Sequence, residues 1–288
     1  MSYAATEIAT QPDCWRRAAT VPAAGLPRPG ERVAVVGCGT SWFMAMAYAA
    51  RREAAGHGET DAFQASEFPL GRAYDRVVAI SRSGTTTEVV ELLDALRLGI
   101  ATTALVGDLS TPAAGAADQA VALPFADERS VVQTRFATTA LAVLRAGLGE
   151  DVAALADDAS RALAAELPAE PAQVTFLGRG WTVGLAQEAA LKCREAAGFW
   201  SEAYPAMDYR HGPIAIAAPG RLVWAFGDVP PGLTDEVTAT GATFVGGHAR
   251  LDPMAELILA QRFALALAAS RGLDPDAPRH LTRSVVLP

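Results

Sequence analysis

Short apolar runs alternate with Ala- and Leu-rich stretches of helical spacing along most of this chain. One apolar run leads into V-V-G-C-G at residues 35–39, and another leads into F-L-G-R-G at 176–180. Each is followed by an Ala-rich helical stretch that ends in the same five letters, R-E-A-A-G, at 52–56 and 194–198. The pattern therefore predicts two units of similar design that arose by duplication.

Each unit continues with further apolar segments of strand length. These predicted strands are 76–80, 103–106 and 121–123 in the first unit, and 221–226, 242–245 and 284–287 in the second. Strands that alternate with helices are typical of a parallel sheet that is covered on both faces. We therefore predict an α/β fold of two tandem flavodoxin-like units.

Prolines mark the predicted boundaries. Residues 137–166 have the Leu and Ala spacing of a helix, and Pro168 and Pro171 follow as a linker. An arm that is punctuated by proline and glycine reaches about Gly30. We predict an N-terminal arm at 1–30, a first domain at 31–168 and a second domain at 169–288.

A hydroxyl-rich segment, S-R-S-G-T-T-T-E, lies at 81–88 between a predicted buried strand and a predicted helix. Hydroxyls and backbone N–H groups at the positive end of a helix suit a phosphate. Thr85 and Glu88 also have capping-box spacing, so a well-capped helix is the alternative. The corresponding segment of the second unit, G-D-V-P-P at 227–231, carries an acid and two residues without N–H. We therefore predict an anion site in the first unit only.

The turn G-C-G-T-S at 37–41 does not form a dinucleotide fingerprint. Such a fingerprint needs a third glycine, where this chain has Phe43, and an acid after the next strand, where it has Ser81. NAD binding is therefore not expected. Thr40 and Ser41 instead are predicted to add hydroxyls to the same anion site.

The helix predicted after Gly180 carries Glu188, Lys192 and Glu195 on one face. A solvated stripe of salt bridges is one interpretation. The flanking residues are apolar, however, and a Glu beside a Lys in such surroundings can move a proton to or from carbon. His211 precedes Gly-Pro, which predicts an extended loop, and it is either a structural histidine or a catalytic one.

Composition and charge narrow the class of protein. The formal net charge is −8 over 288 residues, which argues against nucleic acid as a partner. Cys14, Cys38 and Cys193 are odd in number and not spaced for zinc, which indicates a reducing cytoplasm. Residues 1–17 lack a signal-peptide pattern, and charged residues interrupt every apolar helix, so we expect neither export nor a membrane span.

Seven motifs together resemble the sugar isomerase (SIS) family, in particular the isomerase half of glucosamine-6-phosphate synthase and its stand-alone deaminase and isomerase relatives. The motifs cover nearly the whole chain. They are E-I-x-x-Q-P at 7–12, C-G-T-S at 38–41, S-x-S-G-x-T at 81–86, S-V-V-Q-T-R at 130–135, A-L-K-C-R-E at 190–195, R-H-G-P at 210–213 and D-x-P-R-x-L-x-R-S-V at 276–285.

This resemblance implies an enzyme that acts on a sugar 6-phosphate without a cofactor or a metal ion. The residues that would hold the phosphate are Thr40, Ser41, Ser81, Ser83 and Thr86. Those that would contact the sugar are Gly39, Gln133 and Arg283. Glu195 would move a proton between C1 and C2, with Lys192 assisting near their substituents. His211 would open the sugar ring from a neighbouring subunit, which implies a homodimer.

One position departs from the family pattern. Arg283 stands where the family has a lysine. An arginine stays protonated and cannot form an imine, so no Schiff-base role is expected there.

The reaction itself stays open at this stage. A hexosamine 6-phosphate with a free amine would give isomerisation or deamination, through an enediol-like or enolamine intermediate. An N-acetyl group would block loss of the amine, and the same intermediate could then expel the C3 hydroxyl as water. A fructosamine 6-phosphate deglycase would use the same residues, and a non-catalytic sugar-phosphate sensor is the alternative from another functional class.

Overall fold

The computed structural model describes residues 2–97, 99–246 and 251–287. It contains two parallel sheets with helices on both faces, which confirms the predicted fold class. The strands of the first sheet are β1 (Val33–Gly37), β2 (Thr60–Gln64), β3 (Arg76–Ser81), β4 (Ala101–Val106) and β5 (Gln119–Ala122), in the order β2-β1-β3-β4-β5. Those of the second are β6 (Gln173–Gly178), β7 (Ser201–Pro205), β8 (Arg221–Ala225) and β9 (Thr243–Gly246), in the order β7-β6-β8-β9.

The helices carry the chain between these strands. In chain order they are α1 (Tyr3–Ala9), α2 (Gln11–Ala18), α3 (Thr40–Ala54), α4 (Thr87–Leu96), α5 (Pro112–Ala116), α6 (Arg135–Ala146), α7 (Leu155–Ala164), α8 (Thr182–Ala197), α9 (Leu233–Ala239) and α10 (Pro253–Ser270). No helix in the described ranges is long and apolar enough to cross a bilayer. The helix predicted over 137–166 is two helices, α6 and α7, because Gly147 and Gly149 interrupt it.

Two strands were not predicted from the sequence. β2 and β7 are edge strands of the two sheets, and each follows the repeated R-E-A-A-G segment. Both have one buried residue followed by three half-buried ones, so neither shows an apolar run. The strands predicted at 76–80, 103–106, 121–123, 221–226 and 242–245 are confirmed within a residue or two at their ends.

The strand predicted at 284–287 is wrong. This segment runs across the first unit and binds the start of α4, because Thr87 N donates to Val285 O at 3.2 Å and Leu287 N donates to Thr87 Oγ1 at 2.9 Å. Its apolar side chains are largely exposed. The second sheet therefore has four strands in the described part of the chain, and the C-terminal tail is a cover for the first unit.

Helices α3 and α8 join the two halves. Gly184 on α8 lies against the backbone of α3, where a Cβ would come within 2.3 Å of Phe43 O, so only glycine permits this approach. The N-terminus of α3 and the middle of α8 thereby lie side by side. The predicted domain boundary between residues 168 and 169 stays a prediction.

The N-terminal arm is helical and buried along one side. Trp15 on α2 is fully buried, and its indole Nε1 donates to Thr138 Oγ1 on α6 at 3.1 Å. Asp276 in the tail accepts hydrogen bonds from the N–H groups of Tyr3 and Ala4 at the start of α1. The arm and the tail therefore hold each other in place.

Candidate functional site

The carboxyl ends of β1 and β3 form the floor of the candidate site. These strands are parallel neighbours, while β2 lies beyond β1 and β4 lies beyond β3, so the chain leaves them in opposite directions. Open α/β sheets bind ligands at such a divergence. A cavity of about 200 Å³ opens here, between the turns at 38–41 and 81–86.

All five predicted phosphate ligands line this cavity. They are Thr40, Ser41, Ser81, Ser83 and Thr86. The structure therefore brings together hydroxyls from two turns that are forty residues apart in sequence. Their role in binding phosphate stays a prediction.

The turn after β3 is held by its own side chains. Ser81 Oγ accepts from Gly84 N, and Ser83 Oγ accepts from Thr85 N, both at 3.2 Å. Gly84 has φ +62°, and a Cβ there would lie 2.1 Å from Thr111 Oγ1, so the turn needs glycine. Its shape is thus fixed before any ligand binds.

The capping-box alternative for this turn is wrong. Helix α4 begins at Thr87, and the residue before it, Thr86, makes no capping hydrogen bond through its side chain. Glu88 Oε2 is buried without a hydrogen-bond partner among the described residues. The hydroxyls of this turn therefore do not form the predicted capping box at the start of α4.

A buried ion cluster from the second half forms the opposite side. Lys192 on α8 donates from Nζ to Thr40 Oγ1 at 3.0 Å and to Glu195 Oε2, and it lies 3.5 Å from Glu188 Oε1. The Lys192 and Glu188 side chains are each 1% exposed, and that of Glu195 is 20% exposed. The interpretation of a solvated stripe is therefore wrong. Glu195 and Thr40 line the cavity, and Lys192 lies behind both.

Burial and charge set the protonation of this cluster. Burial raises the pKa of Glu188 to about 8, because Lys192 offsets only part of the cost of removing a carboxylate from water. Burial alone would lower the pKa of Lys192, but the carboxylates of Glu188 and Glu195 outweigh it and raise that pKa above its ordinary value. Lys192 is therefore an ammonium at neutral pH, and it offers a fixed positive charge rather than a base.

Gln133 and Arg283, the other two residues predicted to contact the sugar, line the cavity together with Gly39. Gln133 Nε2 is buried and has no hydrogen-bond partner in the described ranges, so a donor is available to a ligand. Arg283 also lines the cavity, but its guanidinium donates to Asp127 Oδ1 at 2.6 Å and to Glu128 O at 3.1 Å. Of the two, Gln133 has the uncommitted donor.

Arg82 and Ser284 are site residues that the sequence reasoning missed. Buried Arg82 donates to the carbonyl of Ser130 at 3.0 Å and to that of Arg283 at 2.6 Å, so it ties the Gln133 loop to the tail. Ser284 Oγ lies 3.1 Å from Ser83 Oγ and 2.9 Å from Thr85 Oγ1. An arginine inside a turn that follows a buried strand was the available signal, because such a cation needs buried acceptors.

His211 is not part of this cavity. It ends a short 3₁₀-helix, Asp208–His211, rather than lying in an extended loop, and it is exposed. Within the described part of one chain, His211 therefore stands apart from Glu195.

Side chains suited to a metal ion do not cluster in the described ranges, which hold no group of three or more His, Cys, Asp or Glu so arranged. Glu195, which lines the cavity, and Glu188, which does not, both lie against the ammonium of Lys192. The protein itself thus provides the positive charge at this point.

Comparison with known proteins gave relatives in sequence and in structure, although no protein-family model matches the chain. The glutamine–fructose-6-phosphate aminotransferase (isomerizing) of Pyrobaculum aerophilum is 30% identical over 263 residues, which cover 74% of this chain and 44% of that protein. The enzyme of the same name from Methanothermobacter thermautotrophicus is 29% identical over 307 residues, covering 89% of this chain and 52% of that protein. The chain thus spans about half the length of the curated relatives it matches.

A solved structure matches the whole chain. The glucosamine-6-phosphate deaminase of Thermotoga maritima superposes with a TM-score of 0.84 at 27% sequence identity. The match covers 99% of this chain and 100% of that one. The two-sheet architecture is thus shared along its full length with a protein of known structure.

We expect Glu188→Gln to change how stability depends on pH. A carboxyl whose pKa is about 8 in the folded protein and ordinary in the unfolded chain binds more protons when folded between those values. The free energy of unfolding of the wild type therefore falls as the pH rises from about 5 to about 8, and Gln removes this contribution. Over this pH range, the free energy of unfolding measured in urea should fall by at least about 1 kcal/mol less in the variant than in the wild type.

The matched control is Glu91→Gln, which changes an exposed carboxyl on α4. It should leave the pH dependence as in the wild type. Parallel curves for Glu188→Gln and wild type would show that Glu188 ionises normally in the folded protein.

Proposed function

The chain belongs to the sugar isomerase (SIS) family of phosphosugar-processing enzymes, and we propose that it acts on an amino sugar 6-phosphate. The proposed chemistry is ring opening followed by proton transfer between C1 and C2, which gives aldose–ketose isomerisation or deamination. The observation that carries this proposal is one cavity lined by both Glu195 and the hydroxyl turn that follows β3. A hydroxyl-lined end and a carboxylate thus face the same small space.

The hydroxyl turn is the proposed phosphate site. Thr40, Ser41, Ser81, Ser83 and Thr86 would surround the 6-phosphate beside the N-terminus of α4, where the helix dipole is positive. The phosphate lies far from the reacting carbons, so its binding energy serves to orient the substrate. Gln133 and Gly39 would then contact the sugar.

Glu195 is the proposed base. Its carboxylate is partly exposed to the cavity and accepts a hydrogen bond from Lys192. It would take the C2 proton of an open-chain aldose phosphate and return it at C1. Lys192 stays charged, so it would stabilise the negative charge that develops on the substituents of C1 and C2.

A second copy of the chain is the proposed source of His211. The histidine is exposed and does not line the cavity of its own chain, yet ring opening needs an acid–base group near C1 and O5. We therefore propose a homodimer in which each site combines Glu195 of one subunit with His211 of the other. We also place the protein in the cytoplasm, because its three cysteines are free and its proposed substrate is a phosphorylated metabolite.

Other reactions remain candidates for the same site. Dehydration of an N-acetylhexosamine 6-phosphate and deglycation of a fructosamine 6-phosphate both begin with proton removal beside a carbonyl or imine. A sensor would bind the phosphosugar and leave it unchanged. The assays below separate these outcomes.

Incubation with a panel of phosphosugars tests the reaction. The panel contains glucosamine, N-acetylglucosamine, galactosamine and fructose 6-phosphates, and the readouts are ammonia, ketose and the ultraviolet absorbance of a dehydrated product. We expect turnover by the wild type and a loss of at least about a thousandfold in Glu195→Gln, because the base is removed. Equal binding without turnover in both proteins would establish a sensor instead.

Ser83→Ala tests the phosphate site. Because a hydrogen bond to a charged group is lost, we expect the Kd for glucosamine 6-phosphate to rise about tenfold or more, measured by calorimetry. The free energy of unfolding should fall by only about 1 kcal/mol, because the hydroxyl also accepts from Thr85 N. The control is Ser66→Ala on the surface. Lost stability with unchanged affinity would mean that the hydroxyl has only a structural role.

Mixing two inactive variants tests the composite site. Glu195→Gln and His211→Asn should each be inactive alone. Equilibrated together in equal amounts, they should regain about a quarter of wild-type activity, because half the dimers then hold one site with both native residues. No recovery, with subunit exchange verified by mass, would exclude a site that combines Glu195 of one subunit with His211 of the other.

A further inference from the structure

Arg82 lies between two of the residues that are proposed to bind phosphate. Ser81 precedes it and Ser83 follows it in the turn after β3, and all three line the cavity of the candidate site. The side chain of Arg82 is only 5% exposed. A guanidinium is rarely buried to this degree unless acceptors surround it. The partners of Arg82 therefore show what this cation does in the turn.

The acceptors of Arg82 are main-chain carbonyls of two distant segments. Nη1 donates to Ser130 O at 3.0 Å and to Val131 O at 3.2 Å, and Nη2 donates to Arg283 O at 2.6 Å. The carboxylate of Glu128 lies farther away, at 3.8 Å. A guanidinium presents its donors in a fixed planar fork, whereas an ammonium is a compact point charge. Arg82 is thus suited to join two segments, which a lysine is not.

The two segments that Arg82 joins are walls of the same cavity. We call residues 127–133 and 281–285 the cover. Gln133 lines the cavity from the first segment, and every residue of the second segment lines it. Arg283 also donates to Asp127 Oδ1 at 2.6 Å, so the two parts of the cover bind each other. The buried guanidinium therefore connects the whole cover to the turn.

Ser284 also touches the turn, but it belongs to one part of the cover only. Its hydroxyl lies 3.1 Å from Ser83 Oγ and 2.9 Å from Thr85 Oγ1. A phosphate bound in the turn would compete for these hydroxyls. Among residues 81–86, Arg82 alone bonds both parts of the cover in the described ranges. Its side chain is therefore the connection that a bound phosphate leaves intact.

We propose that Arg82 is a positioning residue that makes binding at the phosphate end of the site and binding at the sugar end cooperative. This proposal rests on the proposed function, in which Ser81 and Ser83 bind the 6-phosphate and Gln133 contacts the sugar. A phosphate held on both sides of Arg82 restrains the main chain that carries the guanidinium, and thereby restrains the cover. By linkage, a sugar that binds to the cover strengthens the binding of phosphate by the same factor.

The alternative role for Arg82 is a direct bond to the phosphate. Its Nε is buried and has no hydrogen-bond partner in the described part of the chain, so this donor is free. A direct ligand strengthens the binding of phosphate equally with and without a sugar. The two roles therefore differ in cooperativity, which binding experiments measure.

Two fragments of a phosphosugar test the cooperativity. They are phosphite and 2-amino-2-deoxyxylose, which together represent glucosamine 6-phosphate without C6 and its oxygen, so both fit at once. For the wild type, we expect the pentose at high concentration to lower the Kd for phosphite about tenfold, measured by calorimetry. In Arg82→Lys, which keeps the charge but lacks the fork, it should lower this Kd less than about twofold. The matched control is Arg97→Lys, at an exposed position that ends α4, and it should keep the wild-type factor.

Hydrogen exchange gives a second measurement, which needs no variant. Phosphite alone should slow the exchange of the amides of residues 130–133 in the wild type at least about threefold, because the turn and the cover are coupled. In Arg82→Lys, phosphite should leave this exchange unchanged. An arginine that only supports the fold would give the same exchange with and without phosphite.

A phosphite Kd that the pentose does not change in the wild type overturns the proposal, as does a factor that Arg82→Lys retains. Weaker binding of phosphite alone in that variant, with the factor retained, makes Arg82 a direct ligand. If the variant does not fold, the wild-type exchange decides, and exchange that phosphite does not slow overturns the proposal.

Failure of the proposed function has a separate signature. Cooperative binding of the two fragments without turnover of any phosphosugar in the panel would remove the proposed reaction and keep the role of Arg82. Turnover without cooperativity would keep the reaction and remove that role.

Discussion

The ammonium of Lys192 is the contact on which the rest of the site depends. It donates to Thr40 at the start of α3 and to Glu195 on α8, so one charge joins the first half of the chain to the second. A buried lysine is costly unless opposite charge accompanies it, and the carboxylate of Glu195 provides that charge at neutral pH. The helices can come this close only because Gly184 has no side chain. The close packing of α3 on α8 and the contacts of the Lys192 ammonium thus lie at the same junction between the two halves.

The cover of the site depends on the two ends of the chain. Asp276 binds the first turn of α1, and the tail then crosses the phosphate turn, where Ser284 meets Ser83 and Thr85. On the other side, Glu7 of α1 accepts hydrogen bonds from Arg129 N and Ser130 Oγ, at the start of the loop that carries Gln133. Arm, tail and loop are therefore one connected structure around the cavity.

Local pattern predicted the interior strands and the chemistry-bearing turns, because buried strands are continuous apolar runs and hydroxyl clusters stand out. It missed β2 and β7, since an edge strand is only half buried. The apolar pattern also predicted a strand at 284–287, because Val285 and its neighbours are apolar. In the structure this segment instead binds across the first unit. The burial of Glu188 and Lys192 was indicated only by the apolar residues that flank them, since a charged helix face has the same sequence pattern whether water or another helix covers it. The linkage of Arg82 to the tail joins residues two hundred positions apart, which no short pattern contains.

The tail also bears on how the two halves depend on each other. In the described part of the chain, the leading sheet has five strands and the trailing sheet has four, and the segment that would complete the latter lies over the former. The tail thus follows the second half in the chain but packs on the first half. A first half that is expressed without residues 276–287 would therefore lose the wall that residues 281–285 give its cavity.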